Sequence, residues 1–333
     1  MSHAISAPGG ATSEELRHLL RHREVGATLL SGHGLEIGAL HHPLVVPGAE
    51  AVEYLDVEDA AMLRRRFPEL SPNSIVEPRW VGDVVRASVR SISGRRFDFI
   101  VMNHVLEHVP NPIQVLANVW DGLVDGGHLV LSVPDKHFIF DRARPLTSFE
   151  HVLAEFFRGA TTVEPAHYVE FLETTRPEVF GDRRRFLAAL EEVTARREHA
   201  HVWDSASFRR FWERTATLLG FEARSVYESA ATVNRFEYFL VVQRSLHAGV
   251  REDEALRVLA AVYRARGDLQ DAFPASDPDL VPRLLGWATT AGATIDSDAA
   301  ALGAFRDDYR RLLERIPREG NRLEERLRAS LGG

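Results

Sequence analysis

Residues 97–112 read FDFIVMNHVLEHVPNP. Phe97 to Met102 is an apolar run of strand length, the pattern of a strand buried on both faces. Asn103 and His104 close that strand. A helix is expected from Pro112 to Leu123, with Asp125-Gly126-Gly127 as a fitting stop. His128 to Val133 then reads as a further strand, closed by Pro134. Parallel strands need a crossover of this kind between them, and such crossovers are almost always right-handed.

The same alternation extends outward. Gly34 to Gly38 is a short strand ending in a turn, Ala51 to Asp56 a second strand, and Asp59 to Phe67 a helix stopped by Pro68. Trp80-Val81, a third strand, leads into Gly82-Asp83. Downstream, from Asp135 to Ala200, the alternation ceases in favour of a stretch rich in His, Arg, Phe and Glu. Ser205 to Leu219 is helical and ends at Gly220. Phe221 to Val226 and Phe236 to Val242 read as a closing hairpin. The expected fold is therefore α/β, a doubly wound, seven-stranded, mostly parallel sheet with a helical lid insertion at about 135–200. Residues 1–12 are small and Gly-rich and are expected to be disordered, followed by an amphipathic helix from Ser13 to about Arg23. The α/β domain is placed at 13–245 and a purely helical C-terminal region at 250–333.

Composition bounds the chemistry. The chain has 333 residues, 45% of them hydrophobic and 26% charged, as in ordinary globular proteins. It has no cysteine, which excludes disulfides, thiolate zinc sites and cysteine nucleophiles. The net charge of -8 argues against nucleic acid as a partner. The runs Arg64-Arg65-Arg66 and Arg183-Arg184-Arg185 read as solvated helix faces. No apolar stretch approaches the ~20 residues of a membrane span, and the N-terminal residues lack a signal-peptide pattern. A cytoplasmic location is expected.

Polar residues at the strand ends carry the chemistry, because ligands in such sheets bind beyond the carboxyl ends of the strands. Gly38 permits close backbone approach. Asp56, ending the second strand, can accept both hydroxyls of a ribose. Asp83 follows the third strand, where an adenine amino group could donate. The ordered blocks LEIGAL, VEYLDV, VGDV, FDFIVMNHVLEHVPNP and LVDGGHLVLSVPD resemble the class I S-adenosylmethionine-dependent methyltransferases over about residues 33–134, and the HVWDSASF segment and final hairpin extend the likeness to about 244. The resemblance implies a Rossmann-like methyltransferase domain. It also implies S-adenosylmethionine as cofactor: Glu36 and Gly38 at the methionyl part, Asp56 at the ribose, Asp83 at the adenine. Ala39, His41, Val57, Gly82, Asn103 and His104 complete the expected cofactor surface. The chain departs from the family's GxGxG loop, having Leu40 and His42 where further glycines stand. The loop must take a different path, or His41 and His42 line the pocket. A nicotinamide enzyme is the competing Rossmann-type reading, but Pro43 and Pro47 oppose the helix it requires.

His104, Glu107 and His108 stand at i, i+3 and i+4, one face of a helix, and offer imidazole and carboxylate ligands for a divalent ion. Together with Glu198-His199-Ala200-His201 they resemble the metal-dependent 2′-O-methyltransferases of small-RNA 3′ ends, and the first half also resembles the ubiquinone-pathway O-methyltransferases. The resemblance implies a metal set of Glu107, His108 and His201, with His104 in place of a glutamate. A hydrogen-bonded acid/base cluster without metal is the alternative. The expected catalytic residues are His108, His201, His104, Asp135 and His151, with His167 read as structural. The segment PDKHFIFDRARPLTSFEH at 134–151 combines hydrogen-bonding groups and rings, a mix suited to a sugar.

The expected function is O-methylation of a hydroxyl on a sugar, glycoconjugate or similar polar metabolite. A methyltransferase for another small metabolite and a catalytically silent methyltransferase-like module are the alternatives. Residues 263–274 and 284–288 resemble helical segments found beside bacterial glycosyltransferases. Such a partner, a homodimer or simple packing are the expectations for the C-terminal helices.

Overall fold

The computed structural model describes residues 21–245. The expectations for residues 1–12, for the start of the helix at Ser13 and for 250–333 lie outside the described residues. A helix is present from residue 21 and ends at 27 (α1).

Strands β1 (Gly32–Ile37), β2 (Ala49–Asp56), β3 (Trp80–Val81), β4 (Phe97–Asn103), β5 (Leu123–Pro134), β6 (Ala223–Ser229) and β7 (Glu237–Arg244) form one sheet in the order β3-β2-β1-β4-β5-β7-β6. β7 runs antiparallel to β5 and β6, and the other pairings are parallel. The apolar run of β4 is explained by its place at the centre, where Phe97, Phe99, Ile100 and Val101 are wholly buried. One face packs Leu35, Ile100, Leu129 and Leu131 with Leu116 and Phe208 from the helices. The other packs Phe99, Val101, Val130 and Phe239 with Leu30.

Register aligns the strand ends. Glu36 lies opposite Val101, Asp56 opposite Val81, and Asn103 opposite Ser132, so one rim collects the polar terminal residues. α2 (Ala60–Arg66) is capped by Asp59, α3 (Val89–Ser93) by Ser88, and α4 (Pro112–Trp120) by Asn111 with Pro112 in its first turn. α4 ends earlier than expected. Leu123 already pairs with Phe97, so the break falls at Asp121-Gly122 and the two later glycines lie inside β5. The hairpin strands also begin and end one to three residues later than expected, with the short helix α9 (Ala231–Asn234) between them.

Between β5 and β6 come α5 (Phe149–Arg158), α6 (Pro165–Thr175), α7 (Arg183–Arg196) and α8 (Ser205–Leu218). α6 and α7 share a separate small core of Tyr168, Phe171, Leu172, Ala189 and Val193. Among the described residues, no helix is long and apolar enough to cross a membrane.

Candidate active site

A cavity of about 990 Å³ opens over the carboxyl ends of β1, β2 and β4. It is near the upper end of the roughly 300–1,000 Å³ usual for ligand sites, room for a cofactor and a second molecule.

The strand wall holds Glu36, Gly38, Ala39, His41, Asp56, Val57, Asp83, Asn103 and His104, all lining the cavity. Glu36 is buried at the end of β1, its Oε2 accepting from Leu44 N (2.8 Å) and its Oε1 from Asn103 Nδ2 (3.4 Å). Burial pushes its carboxyl up to about 7. Asp56 accepts from Glu58 N, and burial pushes it up to about 6. Asp83 accepts from Val85 N at 2.9 Å. Gly38 has φ +69°, and an added Cβ would stand 3.0 Å from Val105. Leu40, where the family pattern has glycine, nevertheless takes φ +48°. A left-handed leucine costs about 1–2 kcal/mol, and it is anchored by its carbonyl accepting from Val76 N at 2.8 Å. His41 and His42 both line the cavity, which is the second of the two outcomes expected for this loop. Acids on neighbouring strand ends, each oriented by a backbone N–H, and a glycine at the turn fit an adenosyl group. Gly82 is absent from the lining; its N–H pairs with the Asp56 carbonyl, and Ile92 fills the space a Cβ would need.

On the helical wall, His108 and His199 line the cavity, and behind them lies Glu107, which is 1% exposed and whose two carboxylate oxygens accept no hydrogen bond from another residue. Burial raises its pKa. Its carboxylate and the rings of His108 and His199 place ligand atoms within 4.8 Å of one another. His108 Nδ1 donates to the Arg197 carbonyl (2.7 Å), leaving Nε2 3.9 Å from Glu107. Burial pushes His108 down to about 3, so it is neutral at pH 7. His199 Nδ1 donates to Asp141 Oδ2 (2.6 Å), and Asp141 in turn accepts from the buried Arg144 (2.9 Å). Burial disfavours charge on His199, but Asp141 outweighs it and raises its pKa. An orphaned buried carboxylate, a neutral imidazole and a second imidazole fixed by a carboxylate form a donor set that fits a divalent cation.

This regroups the expected metal set. His104 stands beside the cluster, with Nδ1 3.8 Å from Glu107 but Nε2 held by Glu237 at 2.5 Å. Glu237 is fully buried and also binds His22 and Arg23 from α1, which hold its carboxyl well below the usual range despite burial. His201 is turned away, 3.0 Å from the Val109 carbonyl and 3.5 Å from Glu155. Asp135 does not line the cavity. Its carboxylate accepts from His137 N, Ser205 N and Ser205 Oγ and pins the end of β5 to α8. His151 also lies off the cavity, beside Glu155 and His167. His199 and Arg23, which line the cavity, were not anticipated, nor were Glu155 and Glu237, which pair with histidines away from its lining. A readable signal existed for Glu155, an acid on the apolar face FEHVLAEFF of α5.

A family model described as "Methyltransferase domain" matches residues 9–222, more than half of the chain. No curated protein matches the sequence. Among solved structures, the CurJ carbon methyltransferase is 16% identical with a TM-score of 0.34, over 65% of this chain and 49% of that one. This chain thus spans about half the length of that protein. The N-methyltransferase NodS from Bradyrhizobium japonicum WM9, in complex with S-adenosylhomocysteine, is 16% identical with a TM-score of 0.33, over 69% of this chain and 87% of that one. A protein from Rhodobacter sphaeroides described as a Zn-dependent alcohol dehydrogenase is 14% identical with a TM-score of 0.40, over 69% and 96%.

Proposed function

We propose, from the premise that this chain belongs to the methyltransferase-domain family and is an S-adenosylmethionine-dependent methyltransferase, that it methylates a hydroxyl oxygen of a sugar, glycoconjugate or similar polar metabolite. The observation that carries this reading is the pair His108 and His199 on the cavity's helical wall, with Glu107 buried behind them and both its oxygens unpartnered. An alcohol is a poor nucleophile until its proton is removed or its pKa lowered, and this cluster is placed to do either.

S-adenosylmethionine, when bound, supplies an electrophilic methyl group. Glu36, Asp56 and Asp83 are the residues that would hold it, with Gly38 leaving room for the backbone to approach. Aligning oxygen, methyl and sulfur is then mainly a matter of positioning. A divalent cation held by Glu107, His108 and His199 would lower the pKa of the acceptor hydroxyl. The Asp141–His199 pair favours a second, metal-free reading. His199 would take the hydroxyl proton on Nε2, while Asp141 keeps the ring oriented and steadies the imidazolium. His108 is too weak a base for that task. Phe138, Phe140 and Arg142 line the acceptor side, supporting a ring-shaped polar substrate.

The same proposal places the enzyme in the cytoplasm. It assigns 13–245 to the transferase and 250–333, outside the described residues, to an appendage that serves packing, docks a second copy or docks a glycosyltransferase. A methyl-transfer screen over nucleotide sugars and glycans, with and without divalent ions, tests the acceptor class. Transfer to amines alone would reject O-methylation. Full activity after chelation would select His199 as base over the metal.

A further inference from the structure

Away from the cavity, side chains from three elements converge. His151 and Glu155 lie one turn apart on α5, His167 is in the first turn of α6, and His201 lies on the extended segment before α8. Their ligand atoms fall within 4.8 Å of one another. Three of them form a tight triangle. His151 Nε2 is 3.2 Å from His167 Nε2 and 3.2 Å from Glu155 Oε1, and His167 Nε2 is 2.9 Å from that same oxygen. The other oxygen of Glu155 is buried, has no hydrogen-bond partner, and stands 3.5 Å from His201 Nε2.

Hydrogen bonding between neutral rings does not account for this packing. His167 Nδ1 faces the Ala200 carbonyl at 2.9 Å and donates to it, so the neutral ring turns a lone pair on Nε2 toward a carboxylate. A proton on Nε2, which that carboxylate favours, or a bound metal ion relieves the repulsion, and a metal would in addition engage the buried, unpartnered second oxygen of Glu155. Zinc bonds to His and carboxylate are ~2.0–2.2 Å, so tetrahedral ligands sit about 3.3–3.5 Å apart. The edges of the triangle come within a few tenths of an ångström of that spacing. The Nδ1–H bond of His167 to a backbone carbonyl is the second-shell contact that a metal-bound imidazole usually makes.

We propose that His151, Glu155 and His167 bind a divalent transition metal of the zinc type, with His201 as the fourth group when its Nε2 exchanges the Val109 carbonyl for the metal. The site is separate from the Glu107 cluster and is not part of the transfer reaction. It clamps α5 and α6 to the segment 198–203. That segment also carries His199, and its Ala200 and His201 N–H groups both donate to the Glu107 carbonyl at 2.7 and 3.0 Å. The metal thereby steadies the wall that presents His199 to the cavity. His151, 42% exposed at its side chain, provides the route of entry.

The test is zinc binding by the full chain, stripped with chelator and titrated with zinc chloride, with bound metal counted by elemental analysis. Cobalt(II) reports the geometry through its visible absorption. His151→Gln and His167→Gln should each weaken one zinc equivalent more than about 100-fold, beyond the roughly 10–100-fold cost of losing a second-shell partner. His108→Gln should leave that equivalent bound. Because His151 is partly exposed, His151→Gln should fold, as circular dichroism would verify. Zinc uptake unchanged in both variants, loss of this equivalent in His108→Gln, or no uptake by the stripped wild-type chain would each overturn the proposal.

Discussion

The two walls of the cavity differ in how far their charges are already satisfied. On the strand wall, Glu36, Asp56 and Asp83 each accept a backbone N–H before any ligand arrives. Behind the helical wall, Glu107 is as buried as Glu36 but accepts nothing from its neighbours. The strand wall is thus preorganised to hold hydroxyl and amino donors. The helical wall stores an uncompensated carboxylate, which is costly in the ligand-free protein and useful only when a cation or proton reaches it.

The largest expected effect breaks the helical wall. Glu107→Met should lower methyl transfer by roughly 10²–10⁴-fold, the range for losing an acid/base or activating group. The same change should raise the melting temperature of the ligand-free protein, since an unsatisfied buried polar group costs about 1–3 kcal/mol. A lower melting temperature in calorimetry would mean that Glu107 is a satisfied structural residue. Next comes the strand wall. Asp56→Ala should weaken cofactor binding about 10- to 100-fold, because hydrogen bonds to a charged group are worth about 1.5–3 kcal/mol each. Unchanged affinity in a folded variant would remove Asp56 from the ribose site.

Asp135→Ala sharpens the contrast, since this acid ends a strand yet serves the fold. Losing its contacts to His137 and Ser205 should cost about 2 kcal/mol of stability while cofactor affinity stays level. An affinity loss at constant stability would return it to the site. The smallest effect concerns pH. Glu36 at about 7 and Asp56 at about 6 are raised by burial. Both must be ionised to accept from the cofactor, so affinity should decline as pH falls from 8 through 6. In the ligand-free protein the sign is opposite. The stability these raised carboxyls contribute is fully present below their unfolded pKa values and is lost as pH rises through 6 and 7. Flat affinity between pH 8 and 6 would contradict the assignment.

The sequence made one wall readable and hid most of the other, for physical reasons. Each acid on the strand wall directly follows an apolar strand, and the sheet's register carries all of them to one rim without further information. Glu107 and His108 share a short turn and were readable together. His199 joins them from 91 positions away through the packing of an insertion, which no local period encodes. His104 faced the same difficulty, since its partner Glu237 lies 133 residues downstream. Asp135 misled because a capping carboxylate and a catalytic one look alike after a strand. Leu40 misled differently: it adopts the left-handed turn that glycine would favour, so the missing glycine does not exclude that backbone conformation.

The separation of the two walls is tested most directly by calorimetric titration of the full chain with S-adenosylhomocysteine, comparing wild type, Asp56→Ala and His199→Ala. The account predicts at least about tenfold weaker binding for Asp56→Ala, and for His199→Ala the wild-type affinity. Equal losses in both variants, or wild-type affinity in Asp56→Ala, would contradict it.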